Sequence, residues 1–159
     1  MKIADFMKYF NQLTICRGLA KTWYEARYQE SFKPSQGPMS TKTREWLDNN
    51  QYIFTFDNPE VKTARVNVKL EQADIRMLEP KKHQPPYTEK RMKIGFAILG
   101  MGKAQDKVVS FEPKRLLKIM KPQGTRIQTC SFAAETGKKY AIVPFTGQKG
   151  EEGSYTLTF

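Results

Sequence analysis

The sequence is poor in the groups that do chemistry. Of 159 residues, one is histidine and two are cysteine, Cys16 and Cys130. A cysteine protease needs a thiolate beside an imidazole that a third polar group orients. The single imidazole, His83, stands in the run Lys81-Lys82-His83-Gln84-Pro85-Pro86, where a solvated loop side chain is the plain reading. Metal chemistry is short of ligands for the same reason, since histidine and cysteine dominate zinc and related sites. Calcium takes six to eight oxygens from converging carboxylates. Asp48, Asp57, Asp74 and Asp106 stand apart, and the one adjacent acidic pair, Glu151-Glu152, reads as an exposed turn. No enzymatic activity and no cofactor are expected.

Two cysteines without Cys-x-x-Cys spacing cannot build a disulfide framework, which points to a reducing compartment. No secretory leader is expected either, because Asp5 and Lys8 interrupt the stretch where its apolar run would lie, and no segment reaches membrane-spanning length. The expected location is cytoplasmic. Gly95, Gly100 and Gly102 lack the basic and hydroxyl residues of a phosphate-binding loop and read as turn glycines. Nor do aromatics interleave with the bases as a stacking platform would require, which argues against sequence-specific nucleic-acid binding.

What is present is ordinary globular composition, 39% hydrophobic and 27% charged, in a length that fits one domain. At this size a chain buries roughly 70% of its unfolded surface and needs no covalent staples. The net charge of +11 is far from balanced and favours association with polyanions of some kind.

Ile3, Phe6, Met7, Phe10 and Leu13 recur at helical spacing, so the spacing predicts a short helix over residues 3–13. The period then changes. The aromatic run from Thr22 to Tyr28 reads as a strand whose Trp23, Tyr24, Tyr28 and Phe32 belong to a core, and a polar loop follows over 35–43. Six further β-type runs cover 51–56, 64–71, 93–99, 125–132, 139–144 and 154–159, making seven strands. Turn chemistry separates them at Asp57-Asn58-Pro59, Gly100-Met101-Gly102, Pro122-Gln123-Gly124, Glu135-Thr136-Gly137 and Gly147-Gln148-Lys149-Gly150. Ala64, Val66, Val68 and Leu70 alternate with Arg65, Asn67, Lys69 and Glu71, so that strand has one wet face. Short strands with frequent turns make a sandwich.

The charge is concentrated in two places. Lys81, Lys82, Lys90, Arg91 and Lys93 fall in the long Pro-containing loop 79–93, and Lys114, Arg115, Lys118, Lys121 and Arg126 in the segment after the central run. The plain alternative is a solvated surface. The size of the overall excess favours an anion-facing role for Lys81, Lys82, Lys90, Arg91, Lys93, Lys114, Arg115 and Lys118.

Several segments, in order, resemble one known family. Ala4-Asp5-Phe6-Met7-Lys8-Tyr9-Phe10, Leu13-Thr14-Ile15-Cys16 and Trp23 resemble the junction at which a calpain's protease core passes into its β-sandwich, domain III. Asp57-Asn58-Pro59, Gln72-Ala73-Asp74-Ile75-Arg76 and Ile94-Gly95-Phe96-Ala97-Ile98 continue the likeness. Tyr140-Ala141-Ile142-Val143-Pro144-Phe145-Thr146 and Gly150-Glu151-Glu152-Gly153-Ser154-Tyr155-Thr156-Leu157 resemble the calpain ending, a strand leading through an acidic turn into the last strand. The resemblance implies an all-β, eight-stranded antiparallel sandwich of the C2-like type with a short N-terminal helix, the junction over 1–20 and the sandwich over 21–159. The family's Ala-Gly-Gly-Cys stretch is replaced by Pro34-Ser35-Gln36-Gly37-Pro38-Met39-Ser40-Thr41, and the long loop 79–93 is basic where calpains often carry an acidic one. With Met1 standing at the junction, the resemblance implies a sandwich without its protease. By analogy with protease-dead calpain relatives, the expected role is a structural module that docks through basic loops onto an acidic protein surface, such as tubulin in a cytoskeletal, microtubule or axonemal assembly. The alternative is a calcium-independent peripheral membrane module on anionic phospholipid.

Overall fold

In the computed structural model the described residues are 24–40, 45–73 and 91–159. The helix expected over 3–13 lies outside them, as do Trp23, Lys81, Lys82, His83 and Lys90.

Eight strands form two antiparallel four-stranded sheets: β1 (Arg27–Phe32), β2 (Tyr52–Phe56), β3 (Thr63–Gln72), β4 (Ile94–Met101), β5 (Leu116–Gln123), β6 (Ile127–Glu135), β7 (Lys138–Thr146) and β8 (Gly153–Thr158). The first sheet runs β1-β8-β3-β6 and the second β2-β7-β4-β5. Only β4 and β5 are both consecutive in the chain and in one sheet, so every other connection crosses the sandwich.

The expected alternation along β3 holds. Val68 and Leu70 point inward, while Arg65 and Asn67 are exposed on the outer face. Across the layer they meet Ile94, Phe96, Ile98 and Ile142 of the second sheet, with Leu157 beside them, in one apolar core. A second cluster covers the opposite face of β4 and β7. Trp46 and Leu47, from a 3-10 turn in the β1–β2 connection, and Val108, from the β4–β5 connection, pack on Ala97, Leu99, Ala141, Val143 and Phe145. The second sheet is therefore dry on both sides. That is why Ile94–Leu99 and residues 140–145 are continuously buried runs rather than alternating ones.

The eighth strand, which the reading by periodicity omits, is β5. It is an edge strand with a broken pattern of exposure, it carries Lys118 and Lys121, and it contains Pro122, a residue that sheets confine to their edges or bulges. Gly100-Met101, Pro122-Gln123 and Glu135 belong to strand ends rather than to turns. At the first strand the correction is larger. β1 begins at Arg27, Tyr24 is 95% exposed and Tyr28 41%, so only Phe32 of the described aromatics there is core.

The β6–β7 corner is two residues, Thr136 and Gly137, and changes sheets. Gly137 takes a left-handed φ of 73°, which glycine adopts without a Cβ penalty. The corner is sewn to the β2–β3 connection: Thr136 N donates to Lys62 O at 2.9 Å and Gly137 N to Phe56 O at 2.8 Å. The Thr136 hydroxyl lies 2.7 Å from Val61 O.

Inside the sandwich, the hydroxyls of Tyr52 and Tyr155 hydrogen-bond each other at 2.7 Å, and Asn50 Nδ2 donates to Tyr155 Oη at 3.0 Å. Burial pushes both phenols above their ordinary range, Tyr155 further than Tyr52. An unfolded tyrosine titrates near pH 10. Above that pH the unfolded chain sheds these protons and the folded one keeps them, so the stability they contribute is fully present below about pH 10 and falls as pH rises beyond it. Denaturant titrations between pH 8 and 11 should show this decline, and Tyr155→Phe should make it shallower. An unchanged slope in the variant would remove the pair from the alkaline transition.

Candidate interaction surface

Two buried glutamines organise one end of the sandwich. Gln72, at the end of β3, donates from Nε2 to Met92 O at 3.0 Å and to Thr125 O at 2.7 Å. Gln128, on β6, reaches across the layers and donates to Ile94 O and to Lys121 O, the latter at 3.0 Å. Gly147 N donates to Lys93 O at 2.6 Å, which adds the β7–β8 turn. Each side chain supplies donors to carbonyls that an edge or a bulge would otherwise leave unpaired, an obligation for buried backbone. The two ends of the connection between β3 and β4 are thereby fixed beside the β5–β6 and β7–β8 turns.

Arg91, Lys93, Lys121, Arg126 and Lys149 gather at this end. Among the described residues the acids here are Glu71, Glu151 and Glu152. Glu71 is engaged by Arg126 at 3.0 Å and by Lys69 at 3.3 Å, and Glu151 accepts from Gln148 N at 3.0 Å.

Lys114 and Arg115 lie at the opposite end, in a 3-10 turn before β5. The eight residues of β4 separate them from Lys93 by roughly 23 Å at about 3.3 Å per residue. Both pair with Glu112, at 3.3 and 2.8 Å. Beside them Lys138 pairs with Glu135 at 2.7 Å and Lys139 with Asp106 at 3.1 Å. The hydrogen bond that Lys138 donates to the Glu135 carboxylate raises the Lys138 pKa. These four bases share three carboxylates as ion-pair partners. Lys118 belongs to neither end: it sits opposite Ile98 in mid-strand, near Cys130 of β6, whose thiol is pushed up by burial and partly restored by the Lys118 charge. The sequence's basic residues therefore form no single face. Arg91 and Lys93 stand together, Lys114 and Arg115 stand together elsewhere, Lys118 lies between, and Lys81, Lys82 and Lys90 fall outside the described residues.

Among the described residues no group of three His, Cys, Asp or Glu side chains could hold a metal ion, and no helix is long and apolar enough to cross a membrane. The hollows are shallow and open. The larger lies on the hydroxyl-lined outer face of the first sheet, over Ser31, Ser154 and Thr156, and the other between the start of β5 and the end of β6.

The family model for the calpain large subunit, domain III, matches residues 21–159. The chain belongs to that family. No curated protein matches it. The all-β sandwich agrees with a calpain domain III, and the matched region is the family's β-sandwich module rather than its protease core. Within this domain III, the organising residues that pattern reading misses are Gln72, Gln128 and Trp46. A polar residue at an inward strand position, as Gln128 is, breaks the apolar alternation and could have flagged a cross-layer tie. Nothing in the sequence marks Trp46, whose apolar partners come from three distant segments.

Proposed function

We propose that this calpain domain III is a non-catalytic docking module, and that it meets an acidic protein surface in a larger assembly through the end that carries the β3–β4 connection. The carrying observation is the convergence there of Arg91, Lys93, Lys121, Arg126 and Lys149 around the two fixed stems of a connection whose loop over 79–93 carries five bases, Lys81, Lys82, Lys90, Arg91 and Lys93, against two acids, Glu79 and Glu89. Charges of one sign focused at one end steer encounter and set its salt dependence. An acidic polymer surface of the tubulin kind, in a cytoskeletal assembly, has the matching chemistry.

The test is cosedimentation with microtubules and, separately, with anionic vesicles, each at low and at physiological salt. Binding to microtubules that weakens with salt is expected. The combined reversal Lys81→Glu, Lys82→Glu, Lys90→Glu, Arg91→Glu should weaken it about tenfold or more, roughly 1.4 kcal/mol or greater, with the thermal midpoint unchanged. Binding to vesicles alone would replace the protein partner by a lipid one, and an unchanged affinity after reversal would move the docking site away from this end.

A further inference from the structure

Among the described residues the sandwich has four edge strands, β1 and β6 in the first sheet and β2 and β5 in the second. Sheet edges present unpaired N–H and C=O groups and are normally blunted by lysine, proline, bulges or shortness. β5 uses the first three devices: Lys118 and Lys121, Pro122, and register shifts opposite Ile94/Phe96 and Ile98/Leu99. β1 and β2 are short, at six and five residues. β6 uses none of them. Its nine residues, Ile127 to Glu135, keep one unbroken register with β3 and contain no lysine, proline or bulge.

The phase of the β3–β6 ladder tells which groups are free. Gln72 N donates to Arg126 O and Thr136 N to Lys62 O, so the residue pairs that exchange hydrogen bonds are those in step with Gln72–Arg126 and Lys62–Thr136. Continuing that alternation, Gln128, Cys130, Phe132 and Ala134 bond to β3, and Ile127, Thr129, Ser131 and Ala133 turn both N–H and C=O outward. Glu135, next in the outward series, donates its N–H to Tyr140 Oη at 2.7 Å and closes the free stretch. Thr129 and Ala133 are exposed, and Ile127 is 43% exposed.

We infer that β6 accepts an extended, acidic segment of a partner protein as a fifth strand of the first sheet. The acidity follows from the neighbouring edge. An added strand would run beside β5, and its inward side chains, alternating with the outward ones, would face Lys118, which already acts on Cys130 at the centre of β6. Neither Lys118 nor Lys121 makes an ion pair with a described residue. Further along the same path, beside the end of β6, lies a hollow of about 360 Å³ lined by Lys114, Leu117, Ala133, Glu135 and Tyr140. A second copy of this chain fits worse, because pairing two β6 edges brings the lysines of two β5 strands together with no acid among them. The inference shares with the docking reading the acidity of the partner and Lys121, which lies where the two surfaces meet, but the β6 edge itself is a different surface.

The probe is a ten-residue peptide alternating glutamate with valine and threonine, set against its lysine counterpart, titrated into the full chain and followed by amide exchange in NMR. The glutamate peptide should slow exchange at Ile127, Thr129, Ser131 and Ala133, whereas Gln128, Cys130, Phe132 and Ala134 should barely change. Thr129→Pro, which deletes an outward N–H without touching the ladder to β3, should weaken binding at least tenfold. Lys118→Glu, a surface reversal that does not depend on the proline being tolerated, should do the same. Arg91→Glu with Lys93→Glu should leave this peptide's binding unchanged even if it abolishes docking at the basic end. Equal binding of the lysine peptide, protection that misses the four outward amides, full affinity in Lys118→Glu, or dimerisation of the free chain in sedimentation would each overturn the inference.

Discussion

Gly95→Ala is expected to destabilise the domain by about 3 kcal/mol, the upper part of the range for overpacking a filled site. A single added carbon suffices because no flexible group lies in its way. A Cβ at Gly95 would fall inside contact distance of Met120 O, 2.8 Å from Phe145 Cε2 and 3.0 Å from Pro122 N. Two of these atoms are backbone of β5, which carries one extra residue opposite Gly95 and presses its chain onto that position. Relief would require β5 to lift, breaking its pairing with β4 and the Gln128 contact to Lys121 O. For a domain of this size the loss lowers the melting temperature by on the order of 10 °C. Gly124→Ala is the matched control, since the nearest atom to a Cβ there is Arg91 O at 3.8 Å. Thermal melts of the two variants should differ accordingly, and a Gly95→Ala protein as stable as the control would mean that β5 does not press on β4 as described.

The second large effect is expected at Trp46. Its indole is fully buried on the outer face of the second sheet and meets the Phe111 ring edge-on at 5.6 Å between centroids. Removal of such a side chain costs about 3–5 kcal/mol, combining lost transfer energy with the cavity left behind. Trp46→Ala should therefore detach the β1–β2 and β4–β5 connections from the sheet, and exchange of backbone amides in residues 102–112 should accelerate with the fall in stability. Trp46→Phe should cost less than half as much, because Nε1 has no hydrogen-bond partner to lose. If Trp46→Ala melted like the parent, the outer cluster would be a covering and not a second core.

How far the sequence foretold this structure depends on what each residue touches. Strands with one wet face were legible: the Val68 and Leu70 alternation placed β3, and the turns at Asp57-Asn58-Pro59 and Gly147 to Gly150 fall between strands as expected. β4 and β7 were found as apolar runs, but that both their faces are covered depends on Trp46 and Val108, which no local period reports. β5 was hidden by the devices that protect an edge, because lysines and a proline there look like a basic loop ending in a turn. Its omission is why the periodic reading counts seven strands and the family resemblance eight. The basic residues were identified as a population, but their division between two ends and a mid-strand position follows from topology. Lys114 and Arg115, so prominent in the sequence, prove largely occupied by Glu112.

The crossing connections also have a kinetic side. β8 lies inside the first sheet, between β1 and β3, and among the described residues β1 pairs only with it, Arg27 opposite Thr158. Neither neighbour can be bridged until residues 153–158 have left the ribosome, so a nascent chain holds β1 idle while β2 to β7 are made. Closure between segments so distant in sequence is slow, in the millisecond-to-second regime of all-β domains. Until β8 arrives, β1 and β3 both wait as open templates, and the interval before β8 inserts is when this sandwich is most exposed to pairing with the wrong neighbour.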